Sequence, residues 1–366
     1  MNLTSYMPVR IISGRGCVKN NSEVFKNYGN KCLIVTGGSS AKKSGALADV
    51  VSALEKCCIE YFIFDEITEN PYTEDCRRAG ERARECGAEF IIGIGGGSPL
   101  DASKAVAIFA TNPEMIHSDI YDMNHKNKPL PFILVGTTAG TGSEVTGVSV
   151  LTNSDNGMKR SIGGCYAEVS FCDYGYTFTM PYAVTVSTAL DAFAHACESY
   201  FSSMSTALSE IYAEKAFALL SEGLGYLYNT ESLPDDKMRE ILYDASIYAG
   251  LCLNITGACF PHTVGYALTE DYGVPHGKAC AAFIPDFIKI CAENKTEKAQ
   301  RMADIMHTDI SSLCRMITEL ADVNISVSDE QMAKYRTRWV DPVKNFSRTP
   351  GNFTSDTAVK LFEKFI

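Results

Sequence analysis

A chain of 366 residues, 46% hydrophobic and 21% charged, has the texture of an ordinary globular protein and is long enough for two domains with full cores. Its net charge of −11 at pH 7 argues against a general nucleic-acid or anionic-membrane binder, since either would need a basic face. No signal-like segment opens the sequence and no apolar run reaches the roughly 18 residues of a membrane span, so its 14 cysteines are expected as reduced thiols in a cytoplasmic protein. The cysteines form no CxxC pair, and adjacent Cys57 and Cys58 read as small core residues.

From residue 1 to 180 the pattern alternates strand and helix. KCLIVTGG (31–38) reads as a buried strand running into a glycine turn, with SGALADVVSALEK behind it as a helix. EYFIFDEIT is the next strand, PYTEDCRRAGERAREC the next helix, and EFIIGIGGGS a further apolar strand ending in glycines. Such alternation predicts a parallel sheet with helical crossovers, and near-continuous apolar strands predict burial of both faces.

Ser98 is placed to cap the helix SPLDASKAVAIFA, with Pro99 at its first position and Asp101 at its third. Glycines before a helix start let a backbone approach a ligand, and the free amides favour phosphate, so GGGS suits a dinucleotide pyrophosphate. Taken alone it also reads as a plain strand-to-helix turn; neither GxGxxG nor GxxxxGK[ST] is present. LPFILVG forms the following strand, and TTAGTGSEVT after it is dense in hydroxyls and glycines. Two such turns at neighbouring strand ends describe a dinucleotide crevice.

Beyond residue 181 helical spacing dominates, as in ALSEIYAEKAFALLSEGLGYLY and DKMREILYDASIYAG, and a largely helical second domain over 181–366 is expected. Trp339, near Lys334, Arg336 and Arg338, reads as one packed indole beside a solvated basic face.

The chemistry concentrates between Asp191 and His276. Asp191 and His195 stand four apart in TALDAFAHACESYF, a helical pattern that projects both from one face. A pair of this kind is common, and by itself it equally describes a core histidine beside a solvated acid. His262 and His276 are fourteen apart, about 21 Å along one straight helix at roughly 1.5 Å per residue. The chain must turn between them to share an ion, and Gly273 with Pro275 supplies the break. One carboxylate and three imidazoles suit Fe²⁺ or Zn²⁺ better than Mg²⁺ or Ca²⁺.

GGGSPLDASK, TTAGTGSEVT, DAFAHACES and PHTVGYALTEDYGVPHGKA, in that order and spacing, resemble the iron-containing (group III) alcohol dehydrogenases over nearly the whole chain. The resemblance implies a dehydroquinate-synthase-like fold. An α/β dinucleotide-binding domain would be followed by an all-α domain, with a catalytic iron or zinc in the cleft between them. It implies metal ligation by Asp191, His195, His262 and His276, and a homodimer or higher oligomer. The cofactor contacts it implies are Gly37, Ser39, Asn70, Gly96, Gly97, Ser98, Asp101, Thr137, Thr138, Thr141, Ser143, Thr146 and Lys159.

Two departures from the family pattern matter. The acid that NAD-preferring members carry after the first strand is replaced here by Gly37, Gly38, Ser39 and Ser40 with Lys42 and Lys43 behind, so NADP(H) is expected over NAD(H). Tyr266 stands where many members keep a histidine thought to relay a proton; a phenol is a poor base at neutral pH but a workable donor. The expected activity is hydride transfer between nicotinamide and a small alcohol or aldehyde. A phosphonoacetaldehyde reductase, a dehydroquinate-synthase-type lyase and a non-catalytic nucleotide sensor are the alternatives. Only Lys278 lies near the metal segments, where the lyase would need a basic cluster for a phosphorylated substrate.

Overall fold

A computed structural model describes residues 5–366, which form two compact units, Tyr6–Met180 and a second built on Pro181–Ile366. The first contains eight strands: β1 (Arg10–Ser13), β2 (Lys31–Gly37), β3 (Glu60–Ile67), β4 (Phe90–Gly95), β5 (Phe132–Gly136), β6 (Ser149–Thr152), β7 (Lys159–Ile162) and β8 (Val169–Cys172). Six of them make one parallel sheet in the order β1-β8-β5-β4-β2-β3, while β6 and β7 pair antiparallel as a separate hairpin.

The central strands β2, β4, β5 and β8 are buried on both faces, as a parallel sheet covered by helical crossovers requires. Leu33, Val35, Ile91, Phe132 and Leu134 enter one core, where they meet the helices Thr73–Glu85 and Gly97–Thr111. Their neighbours Ile34, Ile92, Ile94, Ile133 and Val135 point to the other face and pack on the helix Ala46–Lys56. Each such side chain contributes about 1.5–3 kcal/mol by leaving water. At the sheet's edge, β3 is only partly covered: Glu60, Ile63, Asp65 and Glu66 are exposed, while Phe64 and Ile67 are buried.

Strand order fixes where a ligand can sit. From β2 the chain steps outward to β3, then crosses back to β4 on the other side of β2. The order therefore reverses between β2 and β4, and a crevice opens at the carboxyl ends of strands at such a switch point. Gly37 ends β2, Gly95 ends β4 and Gly136 ends β5.

Two expectations need correction. The helix after β4 begins at Gly97 with Gly96 as its cap, so Ser98 is its second residue and not its N-cap. The Ser98 hydroxyl instead accepts from the backbone N–H of Asn70 at 3.2 Å, which removes it from capping duty. Cys58, read as a core residue, is exposed; it closes the turn after Ala46–Lys56 with a positive φ of 56°, a conformation that leaves its side chain outside the core.

The second unit is helical, with no strand among the described residues. Several of its helices start where side-chain oxygens satisfy free amides: Thr206 accepts from Ser209, Asp235 from Met238, Asp309 from Ser312 and Ser328 from Gln331. Trp339 is 9% exposed and packs against Phe346 and Phe362, while Arg338 pairs with Glu270. No helix among the described residues is long and apolar enough to cross a membrane.

Candidate metal centre and cofactor edge

The helix Tyr182–Phe201 is alanine-rich and almost wholly buried from Thr185 onward, so its polar face looks into protein rather than solvent. Asp191, His195 and Glu198 share that face at spacings of four and three. A second helix, Phe260–Tyr272, carries His262 and stops at Gly273, which adopts the left-handed conformation at φ 66°. Pro275 then caps a six-residue helix that begins with His276. Gly277, next in line, is where that short helix meets the first: a Cβ there would stand 3.0 Å from the Asp191 Cβ and 2.7 Å from the Ser187 carbonyl carbon.

The result is convergence on one oxygen. The Nε2 atoms of His262, His276 and His195 lie 3.5, 3.6 and 3.8 Å from Asp191 Oδ1. These separations exceed the 2.7–3.2 Å of a hydrogen bond. They match the roughly 3.4 Å between ligands that share a tetrahedral ion at about 2.1 Å each. Asp191 Oδ1 and His262 Nε2 are buried with no hydrogen-bond partner, a cost that a cation between them removes. The residues fit a divalent ion of intermediate softness.

Exposure differs around the cluster. Asp191, His195 and His262 are 2–5% exposed, whereas the His276 side chain remains 29% exposed, which makes its side the open one. The imidazoles of His195 and His262 stack at 4.6 Å, 14° from parallel. Burial would push the Asp191 carboxyl up, but His195 and His276, with His262 behind them, reverse this and hold it below the usual carboxylate range. Burial would likewise lower the His262 imidazole; Cys280, Glu198 and Asp191 around it raise it well above 6.5 instead.

In the first unit the glycine turn after β4 and the hydroxyl-rich loop after β5 lie against each other. A Cβ on Gly97 would stand 2.7 Å from Thr141 Cγ2, and one on Gly96 would stand 3.0 Å from Thr138 Cγ2. Asn70, Ser98 and Thr152 join in a chain: the Asn70 N–H donates to Ser98 Oγ, and the Asn70 carbonyl accepts from Thr152 Oγ1. Thr137 Oγ1 is buried at the end of β5 with no hydrogen-bond partner. Gly38, Ser39 and Ser40 are exposed beyond β2, and Lys42 pairs with Asp65 at 2.9 Å.

Asp101 and Ser143 are engaged internally. Asp101 Oδ1 accepts from Ser143 Oγ at 2.5 Å and Lys104 Nζ at 3.3 Å, and Oδ2 accepts from the Val150 amide at 2.8 Å. The carboxylate ties the loop after β5 and the start of the hairpin to the helix Gly97–Thr111. Thr146 is buried where that loop ends, and Lys159 begins β7 opposite Thr152.

Residues 8–174 match the family model for iron-containing alcohol dehydrogenase, and residues 185–336 match the model for the C-terminal part of that family. The chain belongs to the iron-containing alcohol dehydrogenase family. It is accordingly an oxidoreductase acting on CH–OH groups. A sulfoacetaldehyde reductase of Bilophila wadsworthia is 32% identical over 336 residues, covering 90% of this chain and 85% of that one. The NADPH-dependent butanol dehydrogenase of Clostridium saccharobutylicum is 30% identical over 308 residues, 81% of this chain and 76% of that one. A solved iron-containing alcohol dehydrogenase of Thermotoga maritima superposes with a TM-score of 0.91 at 32% identity, covering 99% and 98% of the two chains.

Two residues of this family member's centre escape a sequence reading. Glu198 is fully buried; Oε1 accepts from His262 Nδ1 and Oε2 accepts from the Cys259 amide at 2.6 Å. It thereby turns the other ring nitrogen, Nε2, toward Asp191, the carboxylate–histidine arrangement that orients metal ligands. The available signal was its place seven residues after Asp191, two helical turns along the same face. Cys280, also fully buried, forms with Asp191, His262 and His276 a set whose ligand atoms all lie within 4.8 Å of one another. That set leaves out His195, whose Nε2 lies 3.8 Å from the same Asp191 Oδ1. Tyr266 stacks on His276 at 5.6 Å and 20°, beside the partly exposed ligand.

Proposed function

We propose that this chain is a metal-dependent, NADP(H)-preferring reductase of small aldehydes, working also as an alcohol dehydrogenase in the reverse direction. The observation that carries the reading is the approach of three imidazole nitrogens to Asp191 Oδ1 at 3.5–3.8 Å. Asp191, His195, His262 and His276 would hold the cation. When bound, the cation supplies Lewis acidity where negative charge develops on the substrate oxygen, and the nicotinamide supplies or accepts the hydride.

The chain's own residues do the rest. Glu198 fixes the tautomer and angle of His262 through its hydrogen bond to Nδ1. Low exposure of Asp191, His195 and His262 keeps bulk water from the donors, while the 29% exposure of His276 leaves one side for a substrate oxygen. Tyr266, whose ring stacks on His276, would donate a hydrogen bond at that open side.

The amides at Gly96, Gly97 and Ser98, at the start of a 15-residue helix, suit the pyrophosphate. The Thr137 hydroxyl, Thr138 and Thr141 would complete the nucleotide contacts, with Asn70, Ser39, Gly37, Thr146 and Lys159 at the margins. Asp101 and Ser143 act mainly by holding the loop that presents them. Because Asp65 neutralises Lys42, discrimination for a 2′-phosphate rests on Ser39, Ser40 and Lys43 and on the missing acid. A second reading, an aldehyde carrying a sulfonate or phosphonate, is favoured by the similarity to a sulfoacetaldehyde reductase. A homodimer is proposed from the family.

Anaerobic purification with metal analysis, followed by NADPH and NADH oxidation over propanal, butanal, sulfoacetaldehyde and phosphonoacetaldehyde, tests all of this. We expect one equivalent of iron or zinc and faster turnover with NADPH. Clearly better kinetics with NADH would overturn the cofactor assignment, and full turnover in metal-free protein would overturn the mechanism.

A further inference from the structure

Cys280 follows His276 by four residues in the short helix His276–Ala281, which places both side chains on one face. Its sulfur is fully buried and lies 3.8 Å from each of the two ring nitrogens of His276. The sulfur thus faces both nitrogens of His276 at long hydrogen-bond distance, and it also stands beside the His262 imidazole. In a tetrahedral site with a metal–sulfur bond of about 2.3 Å and a metal–nitrogen bond of about 2.1 Å, sulfur and nitrogen stand roughly 3.6 Å apart. The observed spacing is close to that value. Independently of the cysteine, Asp191 Oδ1 and His262 Nε2 are buried and unpartnered within the same set of donors.

We propose that the centre holds two overlapping donor sets that share Asp191, His262 and His276. One is completed by the His195 imidazole; the other is completed by the Cys280 sulfur, which takes up thiophilic divalent ions such as zinc, cobalt(II) or cadmium. The inference rests on the cation site proposed above and extends it to metal selection. When the sulfur binds, the thiol proton leaves to solvent and a sulfur–metal bond forms, with no change of oxidation state. A thiolate in place of a neutral imidazole removes one positive charge from the centre, which weakens its pull on a substrate oxygen. The chain would then bind zinc tightly yet work better with iron, because the softer ion selects the sulfur-containing set.

The test loads anaerobic, metal-free protein with one equivalent of Co²⁺ and reads its absorption. Wild type should show ligand-field bands and a near-ultraviolet thiolate-to-cobalt charge-transfer band that saturates at one ion per chain. Cys280→Ser and Cys280→Ala should keep the ligand-field bands and lose the charge-transfer band, while Cys58→Ser, at the exposed thiol, should keep both. Zinc affinity should fall about tenfold or more in the Cys280 variants, with iron content unchanged. Ligand-field bands without a charge-transfer band in wild type, or a charge-transfer band that survives Cys280→Ser, would overturn the sulfur assignment alone. Failure of wild type to bind Co²⁺ at all would overturn the cation site and this inference with it.

Discussion

Gly277→Ala is the sharpest perturbation of the centre that touches no ligand. The added Cβ would stand 2.7 Å from the Ser187 carbonyl carbon, nearer still to its oxygen, and 3.0 Å from the Asp191 Cβ. Ordinary carbon contacts lie at about 3.5–4.0 Å, so against the 2.7 Å to the carbonyl carbon the overlap is about 0.8–1.3 Å. Ser187 sits in the backbone of the helix Tyr182–Phe201 and cannot rotate away, so the short helix beginning at His276 must move. His276 is the adjacent residue and moves with it. Metal–ligand distances tolerate about 0.2 Å, so a shift of that size removes His276 from a shared ion. Overpacking of this kind costs about 1–3 kcal/mol in stability. We expect iron content well below a tenth of wild type under loading that saturates the parent, together with a lower Tm. Gly225→Ala is the control in the same unit: it lies in a helix with nothing within 4 Å of the added methyl, and should stabilise by about 0.5–1 kcal/mol. A Gly277→Ala protein that binds one ion per chain at parental affinity would refute the reasoning.

Glu198→Gln should weaken metal binding by about 10–100-fold, because one of the two accepting atoms, Oε1 facing His262 Nδ1 or Oε2 facing the Cys259 amide, becomes an NH2 that can only donate; equal metal affinity in isothermal titration would exclude this role. Stripping the cation with a chelator should lower Tm reversibly, since it leaves Asp191 Oδ1 and His262 Nε2 buried without partners, and re-adding metal at a hundred times its Kd should restore about 2.7 kcal/mol. An unchanged Tm on chelation would mean that the folded protein does not use the site. Asp309, whose carboxyl is held below its ordinary 3.8 by hydrogen bonds from the Ser312 amide and hydroxyl, contributes stability above that value and loses it as pH falls through its lowered pKa. Asp309→Ala should therefore depress Tm at pH 7 and converge on wild type in acid; a gap independent of pH would contradict the capping account.

The parts of the fold that periodicity describes were legible in the sequence. β2, β4 and β5 are read from near-continuous apolar runs because burial on both faces leaves no polar alternation to confuse them. The β6–β7 hairpin is not legible: SVLT and KRSI are short, and their pairing depends on Asp101 binding the Val150 amide from another element. Local capping rules put the helix start at Ser98, but a tertiary partner, the Asn70 amide, had claimed that hydroxyl. His262 and His276 could be paired because Gly273 and Pro275 announce a break. Glu198 and Cys280 could not, because helical spacing reveals a shared face and not whether that face is dry.

The donor cluster also carries a cost for the fold around it. One carboxylate and the imidazoles of His195 and His262 at 2–5% exposure burden a metal-free fold, since burial opposes every charge among them. Burial disfavours charge on both groups, yet His195 and His276 lower the Asp191 carboxyl, and Cys280, Glu198 and Asp191 raise the His262 imidazole. Apolar side chains of the same volume would leave the helices better packed. On the cation site proposed above, a divalent ion would offset that burial, and the stability of this unit would then follow occupancy of the site. Gly277, by allowing the two helices to touch, and Glu198, by fixing one ring, would then matter to the stability of the loaded protein as much as to its chemistry.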